Sequence, residues 1–173
     1  NVKAIVIACN TASAFALEEC KKEFDIPIIG VVKPGAKVAS EATNNGRIGI
    51  IGTEGTINSK IYSEFIHEIN PDIEVFGKPC PLFVPLVENG FIDKNDPIVH
   101  LTVERYLASL KENNVDTLIL GCTHYPILRD VIAEVMGDSV SLIDSGMETA
   151  YYAKKVLKRE NLLAPETQVG KNE

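Results

Sequence analysis

Basic residues are the scarcer charge in this sequence: Lys and Arg number 17 against 24 Asp and Glu, for a formal net charge of −7. They form no cluster, which excludes a nucleic-acid binder built on a basic face. Long apolar runs are also missing. Ala4–Cys9 and Thr117–Cys122 are among the longest, far short of the roughly 20 residues a membrane-spanning helix needs. Four cysteines, Cys9, Cys20, Cys80 and Cys122, stand far apart without a CxxC pair, beside only three His. That spacing suggests neither a zinc site nor a disulfide framework. What the chain does have is 45% hydrophobic residues and 12 Gly in 173 positions, enough for one or two domains with a real core. The expectation is a protein of the reducing cytoplasm with no metal, no membrane and no nucleic-acid partner.

Short β-branched runs alternate with helical patterns. Ala4–Ala8 reads as a strand, Thr11–Phe24 as a helix, Ile26–Val32 as a strand and Lys33–Thr43 as a helix. Arg47–Gly52 and Ile73–Phe76 read as strands, with Ile61, Phe65, Ile66 and Ile69 at helical spacing between them. The proline-rich Lys78–Gly90 reads as a loop with a short helical turn. Further along come a helix at Pro97–Lys111, a strand at Asp116–Gly121, a helix at Ile127–Met136, a strand at Val140–Ile143 and a helix at Gly146–Lys158. This alternation predicts an α/β fold with parallel sheets, whose ligands sit beyond the carboxyl ends of the strands.

Two stretches share one plan. "VKAIVIACNTAS" (Val2–Ser13) and "VDTLILGCTHYP" (Val115–Pro126) each run from an apolar strand through a small residue to Cys and a polar pair. Cysteine after a strand is most often a buried packing residue. Two at matched positions, followed by Asn10-Thr11 and Thr123-His124, point instead to an internal duplication with facing thiols. A thiolate on one side of a carbon acid can remove a proton while a thiol on the other side delivers one, inverting the stereocentre. The thiolate is the reactive form, and His124 stands where it could serve as acid-base partner to Cys122. Cys20 and Cys80 read as structural, and His67 and His100 as surface or helix-face residues.

The motifs "ACNTAS" (Ala8–Ser13) and "LGCTHYP" (Leu120–Pro126) resemble the two cysteine signatures of the glutamate racemases, cofactor-independent members of the aspartate/glutamate racemase superfamily. "IIGVVKPGA" (Ile28–Ala36), "IGIIGTEGT" (Ile48–Thr56), "CPLFVPLVENG" (Cys80–Gly90) and "LIDSG" (Leu142–Gly146) extend the resemblance along nearly the whole chain. It implies two pseudo-twofold-related parallel-sheet domains with glutamate held between them, and D-glutamate supplied for peptidoglycan without pyridoxal phosphate or any other cofactor. Cys9 and Cys122 would then be the acid/base pair, Cys9 acting on the D form and Cys122 on the L form, with His124 and Glu88 assisting proton transfer. Asn10, Thr11, Thr53, Thr56 and Thr123 would bind substrate, Thr53 and Thr56 from a loop to which Gly52 and Gly55 give backbone freedom.

The same resemblance predicts the domain plan: residues 1–32 as part of a first domain, 33–138 as the second, and 139–173 as a return to the first with a C-terminal helix. Glutamate racemases open with a strand ending in a DSGxGG motif that is not found upstream of Cys9, so the first domain is expected to be depleted. The 173 residues alone are then expected to be nearly inactive and to be shielded by self-association, as in a homodimer. Other readings stay open at this point. An aspartate racemase or arylmalonate decarboxylase would use the same architecture. Gly49, Gly52 and Gly55 give a glycine-rich strand-to-helix loop of weak nucleotide-binding character, and a non-catalytic flavodoxin-like domain would satisfy the fold.

Overall fold

The computed structural model describes residues 2–164. The chain opens with β1 (Ile5–Ile7), α1 (Asn10–Glu23), β2 (Ile28–Gly30) and α2 (Val32–Ala42), and continues with β3 (Arg47–Gly52), α3 (Glu54–Asn58), α4 (Ile61–Ile69) and β4 (Glu74–Pro79). It ends with α5 (Phe83–Glu88), α6 (Pro97–Glu112), β5 (Thr117–Gly121), a 3-10 turn at Tyr125–Leu128, α7 (Arg129–Met136), β6 (Ser141–Asp144) and α8 (Ser145–Arg159). All pairing is parallel, in a two-stranded sheet β1-β2 and a four-stranded sheet β4-β3-β5-β6. The α/β class with parallel sheets is as the alternation predicts.

The central strands of the larger sheet are buried on both faces. In β5 every residue from Thr117 to Gly121 is buried, which explains why "TLIL" reads as an unbroken apolar run. Side chains alternate across the sheet. Ile48, Ile50, Ile119 and Ile143 join Val32, Ala36, Ala39, Tyr62 and Ile66 on one face. Ile51, Leu118 and Leu120 meet Phe83, Val99, Val103, Leu107, Leu110 and Leu128 on the other. The helices supply their stripes at i, i+4 spacing, as with Val99, Val103 and Leu107 of α6. Each such side chain stabilises the fold by about 1.5–3 kcal/mol when fully buried.

Several boundaries differ from the sequence reading, each for a local reason. The predicted strand Ile26–Val32 contracts to β2 because α2 starts at Val32. The proline-rich stretch is more regular than its prolines suggest. β4 runs to Pro79 because it is an edge strand, where one face of the ladder needs no N–H, and Pro85 sits in the first turn of α5, where its missing donor costs nothing. Pro126 lies inside the 3-10 turn, so the predicted helix at Ile127 becomes that turn followed by α7.

The predicted return of residues 139–173 to the first domain is corrected for its strand. β6 pairs with β5, Leu118 against Leu142 and Ile119 against Ile143, so "LID" completes the four-stranded sheet. Its apolar residues extend the two cores of that sheet. α8 then packs on α2 and also reaches β2. Residues 165–173 of that segment lie outside the described residues.

Candidate active site

Strand ends assemble the site. Cys9 follows β1, Thr53 follows β3, Cys80 follows β4, Cys122 follows β5 and Asp144 closes β6, all at carboxyl ends of parallel strands, where α/β folds bind ligands. Gly121 makes the close approach of β5 to β3 possible: a Cβ there would lie 2.7 Å from the backbone oxygen of Ile51.

Cys9 is exposed and N-caps α1, its Sγ accepting from the Ala12 N–H at 3.4 Å. Cys122 is buried, at 8% exposure. Its Sγ lies 3.9 Å from His124 Nδ1, and His124 Nε2 lies 3.3 Å from Glu88 Oε1 at the end of α5. A chain of proton-carrying groups thus runs from the thiol through imidazole to an exposed carboxylate. Burial pushes the Cys122 thiol above the ordinary range. The backbone N–H of His124 counters this, charge on Cys9 adds to the rise, and Thr123 lowers it through its hydroxyl and its backbone N–H.

The threonines divide. Thr11 Oγ1 lies 2.8 Å from Thr53 Oγ1 and 3.0 Å from Thr56 Oγ1, and the last two are 3.1 Å apart, so three hydroxyls from α1 and α3 form a closed group. Thr53 and Thr56 do not sit on a free loop. Thr53 N-caps α3, accepting from Thr56 N, and Thr56 is buried within that helix. Gly52 and Gly55 act through close approach rather than unusual dihedrals, since a Cβ at 55 would meet Thr11 Cγ2 at 3.1 Å and one at 52 would meet the Gly121 oxygen at 3.3 Å. Thr123 is exposed beside His124, with Oγ1 3.5 Å from Nδ1. Asn10 is turned inward, only 2% exposed, with both ends of its carboxamide engaged by Tyr62 and Ser145.

A cavity of about 550 Å³ opens beside the hydroxyl group, lined by Thr11, Thr53, Gly55, Cys80, Val84 and Tyr125 among others. The two thiols are not in its lining. Cys80 and Tyr125 were not singled out for the site by the sequence. Tyr125 lies within "GCTHYP", and its hydroxyl donates to the Cys80 carbonyl at 2.9 Å, but no local pattern marks that partner. Among the described residues, no group of three or more His, Cys, Asp and Glu side chains is gathered closely enough to hold a metal ion, and no helix is long and apolar enough to cross a membrane.

The pattern of the Asp/Glu/hydantoin racemases matches residues 1–153. The chain belongs to that family. It is 49% identical over 170 residues to a glutamate racemase of Geobacter metallireducens, an alignment covering 98% of this chain and 62% of that one. A solved glutamate racemase isoform from Bacillus anthracis superimposes with a TM-score of 0.90 at 40% identity, covering 94% of this chain and 60% of that one. A glutamate racemase of Francisella tularensis, solved in complex with D-glutamate, gives a TM-score of 0.87 at 39% identity and covers 96% and 61%. The chain thus spans about three fifths of the length of these family members.

Proposed function

We propose that this sequence supplies the two bases, Cys9 and Cys122, for interconversion of L- and D-glutamate by two-base proton transfer, an activity expected to be weak in the 173 residues alone. The observation that carries the reading is the pairing of two strand-end thiols, one of them tied through His124 to Glu88, in a chain about half identical to glutamate racemases. One thiol must be ionised and the other protonated for a turnover to begin. The thiolate takes the α-proton, the carbanion carries the electron pair, and the opposite thiol supplies a proton to the other face. The protonation states of the two sulfurs are then exchanged. By the family resemblance, Cys9 acts on D-glutamate and Cys122 on L-glutamate. His124, backed by Glu88, helps move the proton on and off Cys122.

The substrate carboxylates and ammonium need donors and acceptors placed before the carbanion forms. The Thr11, Thr53 and Thr56 hydroxyls, the exposed Thr123 and the unpaired N–H groups in the first turn of α1, beginning at Asn10, supply them. No pyridoxal phosphate or metal takes part. The setting is the cytoplasm and the product's use is peptidoglycan synthesis, with assembly as a homodimer.

The test is exchange of the glutamate α-hydrogen in D2O, followed by proton NMR, with circular dichroism reporting inversion and aspartate assayed in parallel. Inversion of glutamate that is abolished by Cys9→Ser and by Cys122→Ser, with exchange surviving for one enantiomer only in each, supports the proposal. Inversion that survives either substitution, or that favours aspartate, overturns it.

A further inference from the structure

We propose that Asn10, Tyr62 and Ser145 form a buried positioning bridge that fixes the spacing of the two thiols by tying the residue after Cys9 to the strand that ends at Cys122. The inference rests on the two-thiol reading above. Tyr62 Oη donates to Asn10 Oδ1 at 2.6 Å, Asn10 Nδ2 donates to Ser145 Oγ at 3.3 Å, and Ser145 Oγ donates to the Leu120 carbonyl at 3.1 Å. Exposure is 2% for Asn10, 2% for Tyr62 and 3% for Ser145. The path therefore begins on α4, passes through the first residue of α1 and the first residue of α8, and ends on β5 two residues before Cys122.

Its position gives it meaning. The two thiols follow strands of different sheets, and among the described residues no backbone ladder joins β1-β2 to the four-stranded sheet. Side chains must set the distance between them. Apolar packing is non-directional and tolerates small slides, whereas a chain of buried hydrogen bonds with fixed donors and acceptors is satisfied in one arrangement only. Each group here has a single role. Tyr62 stays a donor because burial pushes its hydroxyl far above the ordinary range. Ser145 gives its one proton to Leu120 and so must accept from Asn10.

The fold also makes room for the bridge. A Cβ at Gly35 of α2 would lie 3.3 Å from Ser145 Cβ and 3.4 Å from Tyr62 Oη, tighter than a well-packed contact for the first. Asp144, the other polar residue of "LIDSG", fixes Ser145 at the start of α8 by capping the Gly146 and Met147 N–H groups at 2.9 and 3.1 Å. The three bridge residues are thus positioning residues, acting through the main chain next to each thiol.

The test uses Asn10→Ala, Ser145→Ala and the isosteric Tyr62→Phe in the full chain, with Ile143→Val as a control for general loosening of the same sheet. Alkylation of Cys9 and Cys122 by iodoacetamide is followed across pH by peptide mass spectrometry, a readout that needs no catalysis. Loss of the bridge should let water reach Cys122 and move its alkylation midpoint down by about one pH unit, tenfold in thiolate below the midpoint. Tyr62→Phe should shift it in the same direction by less, and Ile143→Val not at all. Where racemisation is measurable, kcat should fall while KM stays near its starting value.

The bridge is overturned if Cys122 in folded Asn10→Ala and Ser145→Ala follows the unaltered profile, or if Ile143→Val shifts it equally. Should the alanine variants not fold, an unshifted Tyr62→Phe overturns it in their place. A shifted profile in a protein whose glutamate inversion survives Cys9→Ser and Cys122→Ser supports the bridge and removes the two-thiol reading, so the two fail separately.

Discussion

Cys9 and Cys122 end strands of the same sequence plan and yet stand in opposite surroundings. Cys9 follows a strand whose middle residue, Val6, is 48% exposed, and it caps a helix of 14 residues with its sulfur open to solvent. Cys122 follows a strand with every residue buried and enters a tight turn, where His124 and Thr123 approach its sulfur. The difference shows that a repeated motif specifies where a thiol is placed but not how it is solvated. Among the described residues the neighbours differ: β1 has one partner strand and β5 has two.

The sharpest way to break the comparison is to remove each sulfur in turn. Cys9→Ser and Cys122→Ser should each reduce racemisation by on the order of a thousandfold, because a serine hydroxyl cannot serve as the acid-base group at neutral pH. Equal residual activity in both would show two equivalent bases; retention in either would show that the thiols are not a pair. His124→Gln comes next. It should slow proton removal from L-glutamate by about a hundredfold and affect the D direction less, since His124 contacts Cys122 and not Cys9. Isotope exchange started from each enantiomer measures the asymmetry, and symmetric losses would contradict it.

Stability should separate the two sheets as well. Gly121→Ala forces a Cβ to 2.7 Å from a backbone oxygen that cannot move aside, and should cost about 1–3 kcal/mol in urea unfolding. Gly30→Ala in β2 meets the tip of Leu17 at 2.8 Å, a flexible side chain, and should cost less. A reversed order would mean that the smaller sheet is the more rigid one. Burial also pushes the Cys80 thiol up to about 12, with Lys78 pulling it slightly down, against about 8.5 for an unfolded thiol. The folded chain therefore keeps a proton that the unfolded chain releases. Stability from this group is full below about pH 8.5 and declines as pH rises toward 12, and Cys122 adds the same sign. Cys80→Ala should flatten the decline between pH 8 and 10. The smallest effect belongs to Glu88→Gln: the Glu88 carboxylate is 62% exposed, so loss of its pair with His124 should change stability by about 0.5 kcal/mol or less.

Much of this was legible in the residues, and the reasons vary by element. β3 and β5 are buried on both faces, so their apolar runs announced them within a residue of their ends. Cys122, His124 and Glu88 were named from motifs and are brought together, because the residues between Pro79 and Phe83 turn α5 back over the end of β5. Proline misled at Pro79, since its cost depends on whether a donor was needed at that position, while the short helical turn expected within Lys78–Gly90 is α5, with Pro85 in its first turn. α3 was read as a loop because five residues are too few for a helical period. Asn10 was placed facing substrate, although its partners Tyr62 and Ser145 come from elements far away in sequence. A partner reached across 135 positions leaves no local trace.

The order β4-β3-β5-β6 has a consequence for how the chain matures. β3 pairs on one side with Glu74–Pro79 but on the other only with Thr117–Gly121, so one apolar edge stays bare while α6 is still being made. At roughly 5–20 residues per second of synthesis, that edge is uncovered for seconds. Parallel pairing across such a separation is slow to close. Ribosome-bound chains stopped before Thr117 should therefore recruit chaperones or aggregate through Ile48–Ile51, and chains released past Asp144 should not.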